Sequence, residues 1–189
     1  IEAEELKARE ASQAAEEGAK ASAPYEPQLK QIYTSNEFEI NADQSLTVKT
    51  HFVNDGQYDA VNITSYSVTK LSTSSDDPMT RIGIFRDLAK EIALSRRSQQ
   101  GMKLQAKLPW GKGFDLSAKS APLSSDEAGA LRKASNSIYF MFYVSWEGPQ
   151  GFTDDVIHCG SIDGDLTFYK TCAYDGINDN YYNIIKAPN

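Results

Sequence analysis

Cys159 and Cys172 are the residues whose type and spacing bear most directly on chemistry, since two cysteines in a β-rich chain either join as a disulfide or stay as buried thiols. If Asp163-Gly164 forms a two-residue hairpin, Cys159 falls opposite Phe168 and Cys172 opposite Asp155. An offset of about four residues at ~3.3 Å each exceeds the ~7 Å Cα separation that a disulfide tolerates. A loop centred nearer Asp165-Leu166 aligns the pair instead. Both outcomes stand at this point, a Cys159–Cys172 disulfide and two free buried thiols. His158 precedes Cys159, but neighbours on a strand point to opposite faces, which works against a Cys-His nucleophile. The two cysteines with one adjacent histidine make no recognised zinc set.

The remaining polar candidates have ordinary explanations. His51 lies inside an alternating strand and reads as a surface or hydrogen-bonded strand residue. Asp76-Asp77 and Asp154-Asp155 sit beside turn signals, where solvated loop carboxylates are common. An acid–base pair drawn from them requires two carboxylates within about 10 Å of each other around a pocket. Asp175, Asn178, Asp179 and Asn180 approach a calcium-loop spacing without its central glycine or closing glutamate. Asn62-Ile63-Thr64 matches a glycosylation sequon, a short pattern that arises often by chance. Trp110-Gly111-Lys112-Gly113 lacks the spacing of a phosphate loop. No catalytic residue, metal ligand or cofactor is therefore assigned, and no ligand-binding residue is singled out.

The chain has 189 residues, room for one principal domain with a real core and an appendage. Its 26 acidic and 19 basic residues give a net charge of -7, which disfavours a nucleic acid or anionic membrane partner. Arg96-Arg97 is an adjacent basic pair in this acidic background. No run approaches the ~18 to 20 apolar residues of a membrane-spanning helix, and the longest apolar patch, Ile138 to Val144, has strand length. Because the chain begins at Ile1, it is expected to be processed or cut from a longer parent, and a signal peptide or membrane anchor upstream would not show in these residues.

The elements that must position these residues show in the periodicity and the breakers. Ile1 to Ala23 is rich in Ala, Glu, Lys and Gln, predicting a helix with a poor apolar face, ended by Pro24. Leu29 to Ile40 reads as a strand. Leu46 to Leu71 reads as two long alternating strands forming a hairpin at Asn54-Asp55-Gly56. Asp77-Pro78 looks like an N-cap with proline in the first helical position, and Ile82, Phe85, Leu88, Ala89 and Ile92 recur at helical spacing, predicting a helix from Pro78 to Arg97. Short strands are expected at Met102 to Leu108 and Phe114 to Lys119, with a helix at Ser125 to Lys133 behind the capping box that starts at Ser124. Ser137 to Trp146, Phe152 to Cys159 and Asp165 to Cys172 read as strands in hairpin succession, and Tyr181 to Ile185 as an edge strand.

Several of these segments fall in an order that resembles the uncharacterised Ig-like β-sandwich domains of bacterial envelope proteins, usually found downstream of transmembrane helices. Asn54-Asp55-Gly56 followed by Ala60-Val61-Asn62-Ile63 is similar to their N-x-G-x-x-x-A-x-N-V hairpin. Leu123 to Glu127 and on to Leu131, then Ile138 to Trp146, Gly151-Phe152 and Cys159 are similar to their later half. The resemblance spans about residues 29 to 183. Trp146-Glu147-Gly148 departs from the family's Tyr-x-Asp, and Ile82 to Gln100 is an insertion. The resemblance implies an extracytoplasmic, periplasmic location on a membrane-anchored parent, and no reaction.

The sequence expectation is thus a mainly β chain. An Ig-like antiparallel β-sandwich at 25–189 carries one or two short inserted helices, preceded by a helical stalk or linker at 1–24. The expected role is non-enzymatic binding or scaffolding at the cell envelope, with an envelope protein or glycan as partner and membrane contact only through an upstream anchor. The competing readings are an envelope hydrolase using an acidic pair and a structural subunit in which Ile1 to Ala23 packs against copies of itself.

Overall fold

Ile138 to Val144 is apolar throughout because the strand carrying it is covered on both faces. A computed structural model describes residues 2–22, 27–32, 38–72, 78–104, 107–132, 136–163, 169–172 and 178–187. In it, β8 (Ser137–Glu147) runs through the middle of an antiparallel sheet of order β10-β9-β8-β4-β5, with β6 also pairing β4. Here β4 is Ala60–Ser72, β5 Met102–Lys103, β6 Lys107–Leu108, β9 Thr153–Asp163 and β10 Tyr169–Thr171. The second sheet holds β1 (Leu29–Ile32), β2 (Phe38–Ile40), β3 (Leu46–Asn54) and β7 (Gly113–Lys119), with β3 at its centre.

The two faces of β8 build two cores. Ile138, Phe140, Phe142, Val144 and Trp146 point at the second sheet and meet Val48, Phe52, Phe114 and Leu116 across the sandwich. Tyr139, Met141 and Tyr143 point the other way, onto α2 (Pro78–Arg97) and α4 (Asn178–Lys186). The stripe Ile84, Phe85, Leu88, Ala89, Ile92 and Ala93 is what α2 buries there. The architecture is therefore a mainly β, antiparallel sandwich with a helical layer on one sheet, and α2 is a full third layer in place of a short insertion. Two further helices are α1 (Glu2–Ser22), whose described side chains are all exposed, and α3 (Ser125–Arg132). The capping box closes α3 as predicted: the Ser124 amide donates to Glu127 Oε2 at 2.8 Å, and the Glu127 amide donates to Ser124 Oγ at 3.2 Å.

Of three sequence expectations, two are corrected and one falls partly outside the described residues. First, β3 and β4 do not form a hairpin, because they belong to opposite sheets. Each needs an apolar face against the same core, and residues 55–59 carry the chain from one sheet to the other around Asn54, whose side chain takes up the polar groups of the connection. Second, the expected strand from Leu29 to Ile40 is present at both ends, as β1 and β2 along the same edge of β3, while residues 33–37 between them lie outside the described residues. Third, Tyr181 to Ile185 is helical, within α4, where Tyr181 and Ile185 lie one turn apart and bury against α2 and β8.

One irregularity decides which side chains of β4 reach each layer. The β4–β8 register slips between Val61 and Thr64, and Asn62 sits at φ 51. Asparagine tolerates this left-handed conformation better than most residues. The bulge changes which face each later residue of β4 takes: Ile63 turns to the sandwich core, while Thr64, Tyr66 and Val68 turn to the helical layer.

The end of α2 is also built from an unusual residue choice. The Gln100 amide reaches the Ser95 carbonyl at 2.9 Å and the Gln99 amide the Arg96 carbonyl at 3.0 Å, with Gln99 at φ 55. This pair of bonds is a Schellman cap, in which the left-handed position favours glycine. Gln99→Gly is expected to raise stability by about 0.5 to 1 kcal/mol in urea denaturation. A loss of stability would show that the cap is not left-handed.

Candidate functional site

Beyond the ends of α2 and α4, the outer face of the β8 sheet is left uncovered and forms the floor of a pocket of about 380 Å³. Thr64 and Tyr66 reach it through the bulge in β4, and Ser145 comes from β8. One wall is the last turn of α2, with Ala93, Arg96 and Arg97. The other is the end of α4, with Ile185 and Lys186, and Ala187 just beyond it. Cations at helix C-termini offset the negative end of each helix dipole, which accounts for their presence locally. Their convergence on one cavity is a product of the packing of α2 against α4.

Beneath the pocket the charges are wired together. Arg96 donates from Nη1 to the Ile185 carbonyl at 2.6 Å, joining the two helix ends, and its guanidinium lies 5.0 Å from the centre of the Tyr143 ring. The Tyr143 hydroxyl donates to Asp155 Oδ2 at 3.0 Å, and Lys186 Nζ meets the same oxygen at 2.5 Å. Burial first, and then the Asp155 charge, push the Tyr143 phenol far above its ordinary value, so it stays protonated. Tyr182 accepts from the Ile157 amide at 2.9 Å, and its ring lies 5.4 Å from Lys186 Nζ. Gly101 packs closely against two of the lining side chains: a Cβ there would stand 2.5 Å from Tyr66 Cζ and 2.6 Å from Thr64 Cγ2, so one of them would have to shift.

The residues singled out in the sequence are placed elsewhere or in supporting parts. Asp154 and Asp155 lie at the start of β9, just after the short turn Pro149–Gly151, and as strand neighbours they point to opposite faces. Asp155 is the one beneath the pocket, its side chain 11% exposed, while Asp154 Oδ1 accepts from the Asp155 amide at 2.8 Å. Asp76, Asp77 and Asp175 lie outside the described residues, and Asn178, Asp179 and Asn180 form the first turn of α4. His51 pairs across the sheet with Asp115, Nδ1 to Oδ1 at 2.7 Å, on the outer face of the smaller sheet. Trp110 to Gly113 belongs to a turn clamped on the Asn54 backbone, with Gly111 donating to the Asn54 carbonyl at 2.8 Å. Asn62 is exposed and donates to Glu147 Oε2 at 2.7 Å. Among the described residues, no group of three or more His, Cys, Asp or Glu side chains could hold a metal ion.

Cys159 and Cys172 are joined as a disulfide, with Cα atoms 5.4 Å apart. The β9–β10 register pairs Tyr169 with Ile162 and Thr171 with Gly160, which sets Cys159 opposite Cys172 and differs from the register of a two-residue hairpin at Asp163-Gly164; residues 164–168 lie outside the described residues. His158 points away from it, into the sandwich among Phe52, Phe140 and Phe142. Thiol titration of the denatured, unreduced protein is expected to find no free thiol, and two after reduction. Two thiols before reduction would exclude the bond.

Sequence reasoning missed Thr64, Tyr66, Arg97, Ser145 and Lys186. The one available signal was the Arg96-Arg97 pair at the end of a predicted helix in an acidic chain. Among known proteins, no family model matches the chain, and no curated sequence matches it.

Proposed function

We propose that this chain is a non-enzymatic, extracytoplasmic β-sandwich that binds a protein or glycan of the cell envelope, held away from an anchor by α1. The observation that carries this reading is the pocket at the ends of α2 and α4. Its potentially reactive groups are already committed: Asp155 to Lys186 and Tyr143, and Tyr143 in its protonated form. The Tyr143 phenol, held protonated, is not a base near neutral pH, and the donors that line the pocket are suited to holding a ligand in place.

Three further features support it. The Cys159–Cys172 disulfide suits an oxidising compartment. The described side chains of α1 are exposed, as a stalk requires. The order of landmarks from Asn54 to Cys159 resembles that of the bacterial envelope Ig-like domains. No helix among the described residues is long and apolar enough to cross a membrane.

The test is an interaction screen of the full chain against envelope extracts separated into protein and glycan fractions. Saturable binding to one fraction is the expected result. Turnover of a fraction by the purified chain, abolished in Asp155→Asn, would overturn the non-enzymatic reading in favour of a hydrolase.

A further inference from the structure

The pocket's chemistry is unbalanced in a way that specifies a ligand. Arg96, Arg97 and Lys186 are donors only, and one carboxylate, Asp155, lies under them. The chain as a whole carries a net charge of -7, so this local excess of positive charge runs against its average. Arg96 gives one N–H to the Ile185 carbonyl and Lys186 one contact to Asp155, leaving further donors on both, and Arg97 is exposed beside them. A complementary ligand is therefore rich in acceptors and negatively charged.

The size of the charge is limited by the backbone. Both bordering helices end at the pocket, α2 at Arg97 and α4 at Lys186, so the negative ends of two helix dipoles face whatever binds. A monoanion suffers less from them than a dianion. The floor adds Thr64 and Ser145 hydroxyls, which both donate and accept, and Ala93, Ile185 and Ala187 add a small apolar wall. Neighbouring hydroxyls on one side and C–H groups on the other are the complement of a sugar ring. A volume of about 380 Å³ admits one or two such rings.

We propose that the pocket binds a carboxylated sugar, a uronate unit of an acidic glycan, with Arg97 and Lys186 meeting the carboxylate and Thr64 and Ser145 meeting ring hydroxyls. This rests on the binding function proposed for the chain and gives it a ligand class. No covalent step is involved.

The experiment titrates the full chain, followed by amide NMR shifts, with three probes: a glucuronate-containing oligosaccharide, its neutral glucose counterpart and inorganic phosphate. The uronate is expected to bind saturably, shifting amides near Arg96, Ser145 and Lys186, and at least tenfold more tightly than either other probe. Arg97→Glu, at an exposed position, is expected to weaken uronate binding at least tenfold, and Arg97→Lys less. Equal binding by the neutral sugar or by phosphate would overturn the assignment, as would a variant Arg97→Glu that binds like the parent. If none of the probes binds but a protein fraction of the envelope does, the pocket assignment fails and the binding reading stands. If nothing binds at all, both fail.

Discussion

Replacing Asn54 with aspartate is expected to destabilise the fold by about 3 to 5 kcal/mol, because it puts an acceptor where two donors are required and a charge where no water reaches. Asn54 is fully buried. Its Nδ2 donates to the Tyr58 carbonyl at 2.8 Å and the Leu108 carbonyl at 2.9 Å, while Oδ1 accepts from the Gln28 amide at 3.2 Å and the Gly56 amide at 3.1 Å. One side chain thus ties the segment leading into β1, the crossing between the sheets and β6. In Asn54→Asp the Oδ1 contacts can survive, but the two carbonyls face a carboxylate oxygen. Asn54→Ala abandons all four groups, and is expected to cost about 2 to 4 kcal/mol. Urea denaturation of both variants measures this, and an Asn54→Asp variant within about 1 kcal/mol of the parent would mean that the crossing is held by something else.

Acidification should reveal His158 in the same assay. The residue is 7% exposed and packs against Phe52, Phe140 and Phe142, and burial lowers its pKa from 6.5 to about 4. Between those two values the unfolded chain binds a proton that the folded chain refuses, so stability rises with pH through this window and is lost as pH falls from 6.5 towards 4. The full effect is about 3 kcal/mol, at ~1.4 kcal/mol for each tenfold change in proton affinity. Glu127 and Asp43 are also held below their usual values, chiefly by the Ser124 amide and by Lys119 respectively, and their losses add in the same direction at lower pH. The interval from about pH 6.5 to 4.5 therefore belongs mainly to His158. His158→Gln should flatten the stability profile there while keeping the acid limb below it. A variant with an unchanged slope would place the titration on another group.

Strand and helix positions were legible wherever burial has a single period. The stripe on α2 and the capping box of α3 each depend on residues a few positions apart, so the local sequence contains the whole cause. What strands pair with is a different matter. Asn54-Asp55-Gly56 has the residues of a tight turn, but whether it folds back or crosses over depends on Leu108 and Gln28, far away in the chain. In β4 the broken alternation from Ile63 to Tyr66 reads as noise until the bulge at Asn62 shows that both faces are buried.

Tyr181 to Ile185 was misread because aromatic and β-branched residues fit strands, whereas here the spacing of Tyr181, Ile184 and Ile185 matches one face of a helix. Cys159 and Cys172 hinged on a turn of uncertain centre, which register settles and composition does not. Beyond the Arg96-Arg97 pair, the pocket leaves no trace in the sequence, since it is assembled from the ends of α2 and α4 and from strand positions whose direction the bulge reverses.

The doubly covered strand β8 carries a cost outside the native state. Until β4 and β9 flank it and the helices close over Tyr139, Met141 and Tyr143, the stretch Ile138 to Val144 is an uncharged, proline-free segment with both edges open. Such a segment pairs as readily with another copy as with its own neighbours. Folding of the chain then depends on keeping that stretch apart from its like until β9 has emerged, which makes yield, more than final stability, the property most sensitive to changes in β4 and β9.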